Sequence, residues 1–200
     1  MTAQGKDRIR VALRKAGILR TRELESLGFS RTRLTRLCRR GVIDRIGRGL
    51  YTLPSAVLTE RHSFAEAARQ VPKGVVCLLS ALRFHELTTQ NPHAVWVAID
   101  QKAWRPKRRG LRLQLVHLSG QAFAAGVEVH DVAGVSVRVY SAAKTVADCF
   151  KFRNKIGVDV AIEALRDFTR RYRGGADDLA KYARICRVQR VMQPYLDSIA

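Results

Sequence analysis

Five glycines between Lys6 and Pro54, at positions 17, 28, 41, 47 and 49, cut that stretch into short segments whose hydrophobic periods differ from one to the next. In residues 6–16, Ile9, Ala12, Leu13 and Ala16 recur at helical spacing, with Arg8, Arg10, Arg14 and Lys15 on the other face. The spacing predicts a first helix, stopped by Gly17. Thr21 is placed to cap a short second helix through Leu27, with Leu24 and Leu27 inward and Gly28 at its end. Ser30 then caps a third helix, RTRLTRLCRR. Its buried stripe is Leu34, Leu37 and Cys38, and Arg31, Thr32, Arg33, Thr35, Arg36 and Arg39 point outward. Two helices joined by a tight Gly-Phe-Ser turn make a helix-turn-helix. After Gly41 the pattern turns to short strands, residues 42–46 and 50–53, around Gly47-Arg48-Gly49 and ended by Pro54. A glycine-flanked arginine at a hairpin tip reads as a wing.

An arginine-rich helix of this diameter fits a major groove, its polar residues meeting base edges, while the hairpin carries Arg48 along the adjacent backbone or minor groove. The plain alternative is a small three-helix unit whose arginines are merely solvated. The order of elements weighs against it: helix, short helix, turn, arginine-rich helix and arginine-tipped hairpin all fall inside residues 6–53. The chain holds 37 Lys and Arg against 17 Asp and Glu, a formal net charge of +20. Residues 1–55 carry half of that excess in about a quarter of the length. A polyanion is the economical partner. The composition break at Leu53-Pro54-Ser55 places a junction there. Residues 1–55 are then a winged helix-turn-helix DNA-binding domain and residues 56–200 a second domain.

Beyond the junction the pattern predicts a helix over 63–70, a buried strand over 75–78 and a helix over 80–87 capped by Ser80. Strands follow at 95–99 and 111–118, separated by a basic loop containing Lys102, Arg105, Lys107, Arg108 and Arg109. A hairpin is expected from 127–131 and 135–140. Three helices close the chain, at about 141–152, 157–172 and 177–198. The fold class is α+β: a winged helix followed by a mixed α/β domain with a modest sheet and a helical end. No apolar run approaches the ~18–20 residues that cross a bilayer, and the amino terminus lacks a secretory pattern. A cytoplasmic protein with reduced thiols is expected, since Cys38, Cys77, Cys149 and Cys186 form no CxxC pair.

The sharpest catalytic alternative is a Mg²⁺-dependent nuclease of the restriction-enzyme type. Glu86 would be its first carboxylate and Asp100-Gln101-Lys102 its acidic-x-Lys triplet after a strand. Against it, such triplets arise by chance and Glu86 falls at a helix end. The histidines at 62, 85, 93, 117 and 130 form no HxxxH pair, so no metal and no cofactor is expected. Arg173-Gly174-Gly175 reads as a helix-end loop rather than a phosphate cradle. Lys144 and Asp148, four apart on one helix, suit a structural salt bridge. Lys151, Arg153 and Lys155 make a basic patch that is either solvated or set against phosphate.

The run GFSRTRLTRLCRRGVIDRIGRGLYTLP, then VVCLLSALRFHELTT, then VYSAAKTVADCFKFRNKIGVDVAIEALRDF, resembles the AbiEi family of antitoxins from type IV toxin–antitoxin systems. The first segment is similar to that family's winged-helix start and the later two to its carboxyl-terminal domain. The resemblance implies a non-enzymatic repressor that binds inverted repeats in the promoter of its own operon and counters a nucleotidyltransferase-like toxin. On this reading Arg31, Thr32, Arg33, Thr35, Arg36, Arg39, Arg48, Lys107, Arg108 and Arg109 contact double-stranded DNA. The protein is expected to be a monomer in solution that binds DNA cooperatively, with no membrane partner.

Overall fold

Alternating helix and strand periods resolve, in the computed structural model, into elements described over residues 3–54, 60–103, 111–132 and 134–199. The amino-terminal run is α1 (Ala3–Ala16), β1 (Leu19–Arg20), α2 (Thr21–Ser26), α3 (Arg31–Arg39), β2 (Asp44–Gly47) and β3 (Leu50–Thr52). Strand β3 lies between β1 and β2, antiparallel to both. Three helices on a three-stranded antiparallel sheet, with a hairpin after the third helix, make a winged helix. Ile9, Leu13, Leu24, Phe29, Leu34, Leu37, Ile43 and Tyr51 form its buried core.

Strand β1 escapes sequence reading because two residues carry no period; pairing of Leu19 with Tyr51 and Arg20 with Leu50 defines it. That pairing also changes the cap of α2. The cap residue is Arg20 rather than Thr21: the Glu23 carboxylate accepts the Arg20 backbone N–H at 2.5 Å. Thr21 is instead drawn to the wing, its backbone N–H donating to the Gly49 carbonyl at 2.8 Å. Gly49 has φ +71°, and a Cβ there would lie 2.7 Å from the Thr21 hydroxyl, so glycine is required on both counts. Ser30 caps α3 as expected, accepting the Arg33 N–H at 3.4 Å. Cys38, expected in the buried stripe, is half-buried.

Helix α4 (Glu60–Gln70) follows. Its Arg69 donates to the Ile18 carbonyl at 3.0 Å and pairs with Glu23 at 2.5 Å, and the Arg20 guanidinium donates to the Arg69 carbonyl.

The remaining elements are β4 (Val75–Val76), α5 (Leu78–Phe84), β5 (Val95–Asp100), β6 (Leu113–Leu118), α6 (Gly120–Ala124), β7 (Val127–Val132), β8 (Val135–Tyr140), α7 (Ala142–Lys151), α8 (Arg153–Ile156), α9 (Val158–Arg171), α10 (Ala176–Cys186) and α11 (Gln189–Asp197). A mixed five-stranded sheet orders them β6-β5-β4-β8-β7. Strand β5 runs parallel to β6 and antiparallel to β4, which is parallel to β8. In β8, Val135, Val137 and Val139 are buried and Ser136 and Arg138 are not, the alternation of a strand with one covered face. By compactness the chain forms two units. One draws its described residues from Met1–Pro72, Pro106–Arg112 and Asp131–Val137, the other from Lys73–Arg105, Leu113–His130 and Arg138–Ala200.

Two expected features differ. Ser80 does not cap α5; Cys77 precedes the helix, and the buried Ser80 hydroxyl accepts the Trp96 N–H at 2.9 Å across to β5. The long final helix over 177–198 is broken into α10 and α11 at Arg187, a left-handed residue with φ +58° and ψ +42°. There the Val188 N–H turns back to the Ala183 carbonyl at 2.9 Å. The break brings Val188 and Met192 into the core, and no glycine marks it in the sequence.

At the centre lies α7, whose residues from Ala142 to Phe150 are all buried. It packs against α5, α9 and α10. Lys144 and Asp148 fall inside it, fully buried and paired at 2.5 Å. The second Asp148 oxygen accepts the Cys186 S–H at 3.2 Å, and the Lys144 ammonium stands 4.2 Å from the centre of the Tyr140 ring. Burial pushes the Asp148 carboxyl above its usual range although Lys144 pulls it down. Burial, with Asp148 beside it, raises the Cys186 thiol to about 12, so it stays protonated and can donate. Gly126, at φ +72°, closes the cluster: a Cβ there would sit 2.8 Å from the Lys144 Cβ.

Replacing one member leaves an uncompensated buried charge, so Lys144→Met or Asp148→Leu alone should cost about 3–5 kcal/mol, and the double replacement much less than the sum. Urea unfolding of the three variants measures this. The Arg69 contact has a pH signature. Burial raises the Glu23 carboxyl, but the Arg20 N–H and the Arg69 guanidinium outweigh it and hold the group below its ordinary 4.5. The unfolded chain therefore takes up a proton near pH 4.5 that the folded chain refuses. Stability from this contact is complete above that pH and is lost as pH falls through the lower folded value. Arg69→Ala should flatten the acid limb of a stability–pH curve between those two values.

Candidate nucleic-acid interface

Leu34 and Leu37 fix the rotation of α3 by taking its inner face. The opposite face then carries Thr32, Thr35, Arg36 and Arg39, all exposed. Among the described residues, the side chains of Thr32, Arg36 and Arg39 make no hydrogen bond or ion pair. Their donors are unspent. Thr35 is turned back on its own helix, its hydroxyl donating to the Arg31 carbonyl at 3.1 Å. Arg31 is exposed but pairs with Glu25 of α2 at 2.9 Å. That contact is a surface pair worth little in water, and it holds Arg31 toward the preceding helix.

Arg33 stands apart from the outward set in which the sequence places it. It is half-buried on the flank of α3, its guanidinium 4.9 Å above the Phe29 ring, and its buried Nε has no partner. The ring stabilises the cation by its quadrupole and limits the arm's freedom. Phe29, in the turn of the helix-turn-helix and itself in the core, is thus a shelf that sequence reading assigned only to the turn. An aromatic four residues before an arginine was the available signal.

Arg48 is exposed at the wing tip, without a partner among the described residues. Arg45 on β2, not singled out from the sequence, is also exposed and donates to the Gly47 carbonyl at 3.2 Å. It adds a second cation to the wing. Lys107, Arg108 and Arg109 lie outside the described residues.

Two carboxylates of the nuclease alternative have protein partners. Glu86, in a left-handed conformation with φ +58°, faces Arg171 at 3.4 Å. Asp100 accepts the Lys102 N–H at 2.8 Å, closing the turn after β5. Among the described residues, no group of three His, Cys, Asp or Glu side chains converges as metal ligands would, and no helix is long and apolar enough to cross a membrane.

A helix-turn-helix with an open arginine face and an arginine-tipped wing defines the class, a winged-helix regulator of the kind that binds DNA. The more particular assignment comes from comparison: residues 9–54 match the family described as transcriptional regulator, AbiEi antitoxin. The likeness to AbiEi antitoxins is shown over that segment. No curated protein matches the chain.

If Arg36 reads a base edge, Arg36→Ala should cost ~1–3 kcal/mol of operator binding and relax preference at one base pair. Arg48→Ala should instead weaken all sequences alike. Binding isotherms on a specific and a scrambled duplex distinguish the two outcomes.

Proposed function

We propose that this protein is a DNA-binding antitoxin that represses its own toxin–antitoxin operon by occupying inverted repeats in the promoter, and that it counters a nucleotidyltransferase-like toxin encoded with it. The observation that carries the DNA-binding part is the α3 surface, where Thr32, Arg36 and Arg39 present unpartnered donors on a helix fixed by its core. The family match over residues 9–54 supports the regulatory and antitoxin parts. Residues 1–55 serve as the reading head in this proposal and residues 56–200 as the antitoxin domain.

The protein acts by binding and not by catalysis. Support comes from the family match, a transcriptional regulator, and from the Asp100 carboxylate serving to close the turn after β5. Arg31, Arg33 and Thr35 act beside the outward residues, as positioning or backbone contacts rather than as base readers. Lys107, Arg108 and Arg109 add electrostatic affinity.

One winged helix reads a short site and discriminates poorly against ~10⁶–10⁹ competing positions. Two copies on two repeats multiply the discrimination. The protein assembles cooperatively on DNA, and it is a monomer in solution because the apolar stripe of α10, with Leu179, Ala183 and Cys186, is spent on its own core.

Three measurements test this reading. A promoter fragment with both repeats should be shifted at two chains per duplex and recovered intact after incubation with Mg²⁺; cleavage lost in Asp100→Ala would promote the nuclease. Binding should weaken steeply with salt, with a log–log slope of about −0.9 per phosphate neutralised. Reversing Lys107, Arg108 and Arg109 to glutamate should flatten that slope. Equal, independent affinities for the two repeats would defeat cooperativity.

A further inference from the structure

The carboxyl-terminal helices leave a cavity that neither the core nor DNA binding uses. It has a volume of about 270 Å³ and lies among α9, α10 and α11. Its walls are apolar: Phe168 and Tyr172 from α9 and its end, Leu179 and Ala183 from α10, Met192 and Leu196 from α11. Small residues keep it open. Ala176 and Ala180 line it where longer side chains would fill it. Gly175 lies so close over the Phe168 ring that a Cβ would come within 2.7 Å of Cζ, which lets the α9–α10 loop border the cavity. Phe168 and Tyr172 stack with their planes 13° apart, forming a flat aromatic wall.

Five side chains with polar groups line this cavity, and they divide into two kinds. Thr169 and Gln193 are satisfied, the hydroxyl by carbonyls of its own helix and the amide by Asp197 at 2.8 Å. Tyr172, Arg173 and Gln189 are exposed at its mouth, and among the described residues none of the three has a side-chain hydrogen bond or ion pair. An apolar cavity bordered by an unspent guanidinium and an unspent amide is complementary to a molecule with an apolar body and one anionic head. Size narrows the class. A void of ~150 Å³ takes benzene, so this one takes about one ring with a short chain. That is too small a space for a lipid tail or a partner helix.

We propose that the cavity between α9, α10 and α11 binds a small amphipathic carboxylate, its apolar body against Phe168, Leu179 and Met192 and its carboxylate on Arg173, with Gln189 as a further donor. Carboxylate matches the planar fork of arginine, which donates two parallel N–H bonds to it. The site shares no residue with the α3 face and its existence does not depend on the operon reading.

The test titrates the full chain with phenylbutyrate and with its neutral amide, by calorimetry. The acid should bind saturably, one per chain, and about tenfold more tightly than the amide, the factor expected of one charge-assisted contact. Arg173→Gln should remove that difference while leaving the weaker binding of the amide. Ala180→Trp, at an exposed position lining the cavity, should abolish binding of both compounds; an unchanged urea midpoint confirms that the variant is folded. Absence of saturable binding at millimolar acid, or binding that survives both substitutions, overturns the proposal. A concentration-dependent dimer disrupted by Ala180→Trp also overturns it, by assigning the cavity to a second copy of the chain.

Discussion

The ion pair between Lys144 and Asp148 is the constraint on which the second unit's packing turns. Two charges four residues apart on a helix exposed to water would contribute tenths of a kcal/mol. Here α7 is covered from Ala142 to Phe150, so neither charge has water to return to. Each must be neutralised by what packs on the helix. Asp148 takes Lys144 on one oxygen and the Cys186 thiol on the other, which fixes α10 against α7; Lys144 lies over Tyr140, at the end of β8, which fixes the sheet. The Tyr140 hydroxyl then donates to the Phe123 carbonyl at 2.8 Å, and His85 meets the Tyr140 carbonyl at 2.7 Å, so the same cluster reaches α6 and the end of α5. A hydrophobic pair in the same place would pack at lower desolvation cost. It would not dictate which atom of which helix faces which.

In the winged helix the same logic runs with the opposite outcome. Its core is apolar apart from the buried Thr52, whose hydroxyl donates to the Gly17 carbonyl, and its charges are left at the surface with few partners. Glu25 takes Arg31, Glu23 takes Arg69, and Phe29 supports Arg33. Among the described residues Thr32, Arg36 and Arg39 on α3 and Arg48 on the wing are free, as are the exposed Arg8, Arg10, Arg14 and Lys15 of α1. Free cations repel one another, and that self-repulsion is relieved when phosphates neutralise them. On the function proposed above, phosphates set against these cations would release the cations condensed on the DNA. Fixing the orientation of α3 in advance through Leu34 and Leu37 lowers the ordering cost of that encounter.

Much of this was legible in the chain. Glycines at 17, 28 and 41 and the Ser30 cap located the ends of α1, α2 and the whole of α3 closely, because each signal acts within one or two turns of backbone. The valine alternation of β8 and the apolar run of β5 were legible for the same reason. Helix α1, however, begins at Ala3 rather than Lys6, and Leu27, expected to face inward, is exposed just past the end of α2. Helix α6 and helix α8 carried too few residues to show a period. Ser80 misled because a serine before an apolar run looks like a cap, whereas its hydroxyl is claimed by Trp96 on another element.

The succession α1, α2, α3 and wing hairpin, the strands β5 and β8, and the helical spacing that pairs Lys144 with Asp148 were determined by sequence alone, since local backbone preference and side-chain period suffice for them. Tertiary structure decided the rest. It made the Lys144–Asp148 pair a buried one by covering α7 on every side. It took Arg33 out of the outward set by supplying Phe29, created β1 by supplying β3, and broke the last helix at Arg187 because burying Val188 and Met192 favoured a left-handed turn without glycine. In each case the decisive partner lies on a different element, and no pattern within one segment encodes a contact whose other half is elsewhere.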